Sequence, residues 1–237
     1  MLSSFALVSD LHIKKSGDSG SLYLQRFFEN IKVQSCDGVV FAGDIFDLLI
    51  GPFAEYEREH FAVFKLIKNY LQKNKIIWIE GNHDFHFKSF MRSILSIHEY
   101  QNFIYEVNPI KVNGIYIGHG DELDIENSSY MNYRKWVRST MTKLVIENIV
   151  SFKFLHKTYK RFSRESRRSQ ASFNEEVEKL KFIRYAKSLK EQGFKHVILG
   201  HSHIREDLSS YTNLGFPSES GEFILYQNGE VSIERCH

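Results

Sequence analysis

Five times along this chain a short apolar run stops at a small residue flanked by Asp, Asn or His. Phe5 to Ser9 leads into Asp10-Leu11-His12, and Val39 to Ala42 into Gly43-Asp44-Ile45-Phe46-Asp47. Ile76 to Ile79 leads into Gly81-Asn82-His83-Asp84, and the run at 115–118 ends in Gly118-His119-Gly120-Asp121. Val197 to Leu199 leads into Gly200-His201-Ser202-His203. Runs this short and this uniformly apolar read as strands buried on both faces, the kind that parallel sheets are made of. The carboxyl ends of such strands gather loops along one edge of the sheet, where sites are built. One Gly-Asp or one Asp-x-His is ordinarily a turn; five strand ends that each deliver a possible ligand are not explained by turns.

Between the runs, apolar spacing predicts helices over 21–34, 55–73 and 88–98. Further strands are expected at 103–107, 110–112, 210–213, 222–226 and 230–234. Asn113-Gly114 and Asn228-Gly229 are two-residue hairpin turns. Residues 130–192 carry only helical patterns, broken near 148–151 and 166–172. The reading is an α/β fold whose core spans 1–124 and 191–237, with a helical insert at 125–190.

Charge is uneven. The net charge is only +2, yet residues 131–170 hold eleven Lys/Arg against Glu147 and Glu165. Such a segment suits phosphate groups, nucleic acid or an anionic membrane surface. Inside it, Met141, Leu144, Val145, Ile146, Ile149, Val150, Phe152, Phe154 and Leu155 form an apolar patch. Packed inward, that patch is an ordinary amphipathic helix; turned outward and rimmed by cations, it is what a peripheral membrane enzyme needs. No apolar run approaches the ~20 residues that cross a bilayer. The first ten residues have no basic segment, and Cys36 and Cys236 allow at most one disulfide. The expectation is a cytoplasmic protein, peripheral on the inner face of the membrane.

The potential ligands are carboxylates, an amide and imidazoles, with no thiolate. That set suits Mn²⁺, Fe²⁺ or Zn²⁺ and is too large for one ion. Two ions bridged by a carboxylate account for the number. Such a pair can hold a phosphoryl group and generate hydroxide near neutral pH.

Taken in order, the five clusters resemble the calcineurin-like metallophosphoesterases, whose blocks are D-x-H, G-D-x-x-D, G-N-H-[DE], a lone His after a strand, and G-H-x-H. The resemblance covers residues 5–234 and implies a four-layer αββα sandwich with two divalent metals, Mn²⁺ favoured. It implies one metal on Asp10, His12, Asp44 and His203, and the other on Asp44, Asn82, His119 and His201, with Asp44 bridging. His83 would then act on the leaving group, with Asp84 orienting it and Asp47 outside the ligand sphere.

A narrower resemblance starts at Gly118-His119-Gly120-Asp121-Glu122-Leu123 and continues through Tyr130, Tyr133, Arg134, Arg138 and Ser139. It is similar to the bacterial UDP-2,3-diacylglucosamine pyrophosphatases of lipid A synthesis, in which a helical insert grips acyl chains. That implies a nucleotide-linked glycolipid substrate held by Asn127, Tyr130, Tyr133, Arg134 and Arg138. Leu144, Val145, Ile149 and Phe152 would line an acyl groove. The chain departs from those enzymes in carrying His83 where they have Arg. The alternative is a nuclease or nucleotide phosphodiesterase of the same fold, with nucleic acid as partner. Only 34 residues follow His203, too few for the capping domain of such nucleases.

Overall fold

The computed structural model describes residues 2–97, 102–123, 128–169 and 174–236, without the side chains of 128–129 and 162–169. Asn127 lies outside the described residues. The first half alternates β1 (Phe5–Val8), α1 (Ser19–Glu29), α2 (Ile31–Gln34), β2 (Gly38–Ala42), β3 (Leu49–Ile50), α3 (Ala54–Glu59), α4 (Phe61–Leu71), β4 (Lys75–Ile79) and β5 (Asp84–Phe85). Then come α5 (Lys88–Ser93), β6 (Phe103–Glu106), β7 (Ile110–Val112), β8 (Ile115–Ile117) and a 3₁₀ turn at Asp121–Leu123. Helices α6 (Ser128–Val137), α7 (Thr140–Asn148), α8 (Phe152–Ser169) and α9 (Glu175–Glu191) follow. The chain closes with β9 (His196–Ile198), β10 (Glu206–Leu208), β11 (Tyr211–Asn213), α10 (Pro217–Ser220), β12 (Glu222–Gln227) and β13 (Glu230–Arg235).

Two sheets carry the architecture. One runs β13-β12-β1-β2-β4-β6 and the other β10-β11-β9-β8-β7. In the first, β1, β2, β4 and β6 are parallel; in the second, β8, β9 and β11 are parallel. The period-2 alternation of a strand sorts its side chains into two cores. Phe5, Leu7, Val40, Ala42, Ile77 and Ile79 meet Ile115, Ile117 and Ile198 between the sheets. The alternate residues Ala6, Val8, Val39, Phe41, Ile76 and Trp78 pack against α1 and α4 through Tyr23, Phe27, Phe64 and Ile67. On the far face, Tyr116, Val197 and Leu199 meet Phe182, Ala186 and Leu189 of α9. The layers are therefore helix, sheet, sheet, helix.

The two hairpin turns form as read: Asn113 and Gly114 have φ of 52° and 82°, Asn228 and Gly229 56° and 87°. Several predicted helices are cut. The helix at 21–34 breaks at Asn30, whose side chain caps the Lys32 amide of α2. That at 55–73 breaks at His60. The third stops at Ser93, and Ser96 takes a φ of 57°. The insert breaks at Ser139, whose hydroxyl accepts from the Thr142 amide and starts α7.

The apolar patch of the insert divides. Ile146, Val150, Phe152, Leu155 and Tyr159 pack on the main core, Phe152 against the rings of Phe53 and Tyr56 at 5.8 and 5.2 Å. Met141, Leu144, Val145, Ile149 and Phe154 face outward, Met141 71% and Ile149 78% exposed. The expected acyl groove from Leu144 to Phe152 is thus corrected: Phe152 belongs to the core, and the other three lie on an open face.

Candidate metal centre

The loops after β1 and β2 zip together beyond the sheet. Asp10 N–H donates to the Gly43 carbonyl, His12 N–H to Asp44, and Ile13 N–H to Ile45, at 3.0–3.1 Å. This pairing brings the first two clusters side by side. The glycines permit the approach of the rest. A Cβ on Gly43, at φ 85°, would strike the His119 ring, and one on Gly81 or Gly200 would strike the carboxylate of Asp44 or Asp10.

Among the described residues, ligand atoms converge as three groups, each within 4.8 Å: Asp10, His12 and His203; His12, Asp44 and His83; and Asp44, His119 and His201. Asn82 joins the last group through its Oδ1, 3.0 Å from His119 Nε2. Asp44 stands between the groups, its Oδ2 3.3 Å from His119 Nε2 and 3.9 Å from His12 Nε2. The backbone is unusual here: Asp10, His12, Asp44, His201 and His203 all have φ between 45° and 67°. Each such residue costs about 1–3 kcal/mol and is typical of functional sites.

The polar atoms are arranged for cations. His119 Nδ1 lies 3.1 Å from the Ala42 carbonyl, so that nitrogen carries a proton and Nε2 is the atom turned toward Asp44 and Asn82. His12 Nε2 and His203 Nε2 are 3.0 Å apart. Asp10 Oδ2 is buried with no hydrogen-bond partner among the described residues, while Oδ1 accepts from the His201 amide at 2.9 Å. Facing imidazole nitrogens and an orphaned buried carboxylate oxygen are what divalent cations would complete. Burial would raise the Asp44 carboxyl, but the imidazoles of His119, His83 and His12 hold it well below the usual range. Burial likewise opposes an imidazolium at His119, yet the Asp44 and Asp10 carboxylates push its pKa well above the ordinary value. Burial and the neighbouring His119 depress His201 to about 4. The carboxylates thus polarise the pocket negatively and, without a metal, draw a proton to His119, a charge that a divalent cation would replace.

His83 reaches the same group with Nε2 4.0 Å from Asp44 Oδ2. Its Nδ1 lies 2.9 Å from the Asp47 carbonyl and 3.3 Å from the Tyr159 hydroxyl of α8. Asp84 was expected to orient it, and the structure corrects this. Its carboxylate instead accepts from the amides of Asp44, Ile45 and Gly81 at 2.8–2.9 Å and so shapes the two loops. Burial, with Asp44 beside it, pushes the Asp84 carboxyl up to about 7.

On α6, Arg134 donates to Asp121 at 2.7 and 3.3 Å. Arg138 donates to Asp121 at 3.0 Å, to the Gly81 carbonyl at 3.0 Å and to Val107 O at 3.1 Å. Both guanidiniums are therefore engaged by the protein, two residues from His119 and one from Asn82. The phenol of Tyr130 is pushed up by burial and by the Asp121 and Asp44 carboxylates; Tyr133 is half exposed. Tyr159 and Asp121 were not singled out from sequence. Asp121 closes a cluster that was read, but Tyr159 sits in a helix whose pattern announces only amphipathicity.

The chain matches the family model described as calcineurin-like phosphoesterase over residues 3–205. It is 25% identical over 203 residues to a UDP-2,3-diacylglucosamine hydrolase of Ectopseudomonas mendocina (strain ymp), covering 83% of this chain and 80% of that one. A solved novel archaeal phosphodiesterase aligns with 98% of this chain and 99% of its own, at TM-score 0.46 and 13% identity. The protein TT1561 of Thermus thermophilus aligns over 100% of both chains, at TM-score 0.47 and 11% identity.

Proposed function

The chain belongs to the calcineurin-like phosphoesterase family of metal-dependent hydrolases, and on that premise we propose that it cleaves the pyrophosphate of UDP-2,3-diacylglucosamine. The products are UMP and 2,3-diacylglucosamine 1-phosphate: water adds to one phosphorus, the P–O–P bridge breaks, and the bridging oxygen leaves with the other phosphate. The observation that carries the substrate is the outward apolar face of α7, Met141, Leu144, Val145 and Ile149, on a basic insert joined to the site through Arg134 and Arg138. The likeness to a UDP-2,3-diacylglucosamine hydrolase supports it.

In this reading Asp10, His12, Asp44 and His203 would hold one divalent ion and Asp44, Asn82, His119 and His201 the other, with Mn²⁺ the favoured metal. When bound, the ions supply Lewis-acid activation of water and neutralise phosphoryl oxygens. His83 donates its Nδ1–H to the Asp47 carbonyl, which turns Nε2 toward the site; as the imidazolium, protonated on both nitrogens, it would give the Nε2 proton to the departing phosphate oxygen and be left neutral with its Nδ1–H in place. Asp84 holds the Asp44 and Gly81 loops in register through backbone amides. Tyr130 and Tyr133 of α6 border the sugar, while Arg134 and Arg138 act through Asp121 as supports.

Residues 125–190 act as an insert that docks on an anionic bilayer, exposed apolar side chains entering it and lysines such as Lys143 and Lys153 meeting the headgroups. This gives a cytoplasmic, peripheral enzyme; among the described residues no helix is long and apolar enough to cross a membrane. Kinetics with an acyl-length series on UDP-glucosamine test the proposal. Binding should weaken steeply as acyl carbons are removed, at roughly 0.8 kcal/mol per CH₂ withdrawn from water. Equal kcat/KM for acylated and unacylated substrates, or faster cleavage of single-stranded DNA, would reject it.

A further inference from the structure

A cavity of about 360 Å³ opens beside His83, between the loops after β1 and β2, the junction of α3 and α4, and α8. Its walls touch the site directly. Asp47 and Tyr159 line it, and these two residues contact His83 Nδ1. The volume falls at the lower end of the ~300–1,000 Å³ typical of small-molecule sites.

We propose that this cavity receives the nucleoside monophosphate half of the substrate, an inference that rests on the nucleotide-linked reading above. The charges in the cavity carry it. Lys14 comes from the core and Lys160 from α8, both exposed, and neither is paired with a carboxylate among the described residues. Asp47 and Glu59 share the cavity, and their carboxylates likewise have no cationic partner there. Two cations and two anions that leave one another unpaired match a ligand with an anionic group at one place and hydroxyl or N–H donors at another. A phosphate answers the lysines, and ribose hydroxyls or a base N–H answer the carboxylates.

The remaining wall suits a planar base. Tyr159 and His156 present rings from α8, and Tyr56 adds a third. His60, 2% exposed, lines the cavity with an Nδ1 that has no hydrogen-bond partner among the described residues. Other ligand classes fit the same walls badly. An acyl chain would strand four charged side chains. A polynucleotide would carry successive phosphates past Asp47 and Glu59, where like charges repel. A mononucleotide brings one phosphate and several donors, as the cavity requires. Seated there, the nucleotide lies beside His83, with its base against the rings that α8 presents.

UMP binding to the full-length chain in Mn²⁺, measured by calorimetry and by saturation transfer to the uracil protons, tests the proposal without turnover. Lys14→Ala and Lys160→Ala should each weaken UMP at least tenfold. Lys73→Ala, exposed beyond α4, should leave it unchanged. The preference for a UDP-sugar over bis(p-nitrophenyl) phosphate should fall by a similar factor in both lysine variants. Absence of UMP binding, UMP affinity unmoved by both lysine variants, or a larger loss for a single-stranded oligonucleotide than for UMP would overturn it. Failure to hydrolyse acylated UDP-glucosamine would reject the substrate reading alone, because the UMP measurement needs no turnover. Hydrolysis with UMP affinity unmoved would reject the cavity alone.

Discussion

Replacing Arg138 by Ala should loosen the centre from outside it. The Arg138 side chain is 10% exposed and lies between Asp121 and Glu80, both 1% exposed, at 3.0 and 3.7 Å. It also ties the Gly81 carbonyl to Val107 O. Among the described residues Glu80 Oε2 has no hydrogen-bond partner, so its loss of the nearby guanidinium is uncompensated. Asp121 keeps Arg134. Removing one member of a buried ion pair costs about 3–5 kcal/mol, and the surviving Arg134 puts this case near the lower end, ~3 kcal/mol. For a chain of this size that is a fall of roughly 6–12 °C in Tm. Arg138→Lys keeps the charge without the fork that reaches three acceptors and should recover only part of the loss. Calorimetric melting and steady-state kinetics, run on the same preparations, check the reasoning. A support lowers Tm and metal affinity together. An unchanged Tm with a raised KM would refute it and make Arg138 a substrate contact.

Asp44→Ala should remove both ions and all activity, since its Oδ2 serves both halves of the cluster; two metals retained by elemental analysis would sink the bridging role. His83→Ala should leave metal content intact and lower kcat by ~10²–10⁴, the usual worth of a placed acid or base, whereas loss of one ion would make His83 a ligand. His60 is buried against Phe46 and Phe64, and that burial depresses its pKa to about 4. The unfolded chain therefore binds this proton first as pH falls, so stability is full above pH ~6.5 and lost toward pH ~4, by at most ~3 kcal/mol. Denaturant melts of wild type and His60→Phe across that window should converge in slope if the imidazole is not responsible.

The ligand cluster was legible because parallel strands buried on both faces leave uniform apolar runs, and each run stops where the loop takes over. The sheets followed from the same runs, and the hairpins from Asn113-Gly114 and Asn228-Gly229. Short pairs such as Leu49–Ile50 with Asp84–Phe85 give no periodic signal. Apolar spacing ran across Asn30, His60 and Ser139, where helix starts interrupt it. Arg134 of α6 and Arg138 just past its end share Asp121, a partner 13 and 17 residues away in the chain. Which half of the insert's apolar patch faces inward depends on Phe53 and Tyr56, distant in sequence from it. Tyr159 meets His83 across 76 residues, a contact no local pattern carries.

The left-handed backbone at Asp10, His12, Asp44, His201 and His203 has an evolutionary and an engineering consequence. Asn adopts that left-handed conformation readily, so it would relieve backbone strain at the histidine positions. In the metal-free protein, substitutions such as His12→Asn or His203→Asn should therefore raise heat resistance while deleting a donor. A selection for thermostability alone, applied to a library of this chain, would drift toward variants that fold better and hydrolyse nothing. Such a selection keeps the enzyme only if turnover is scored in the same round.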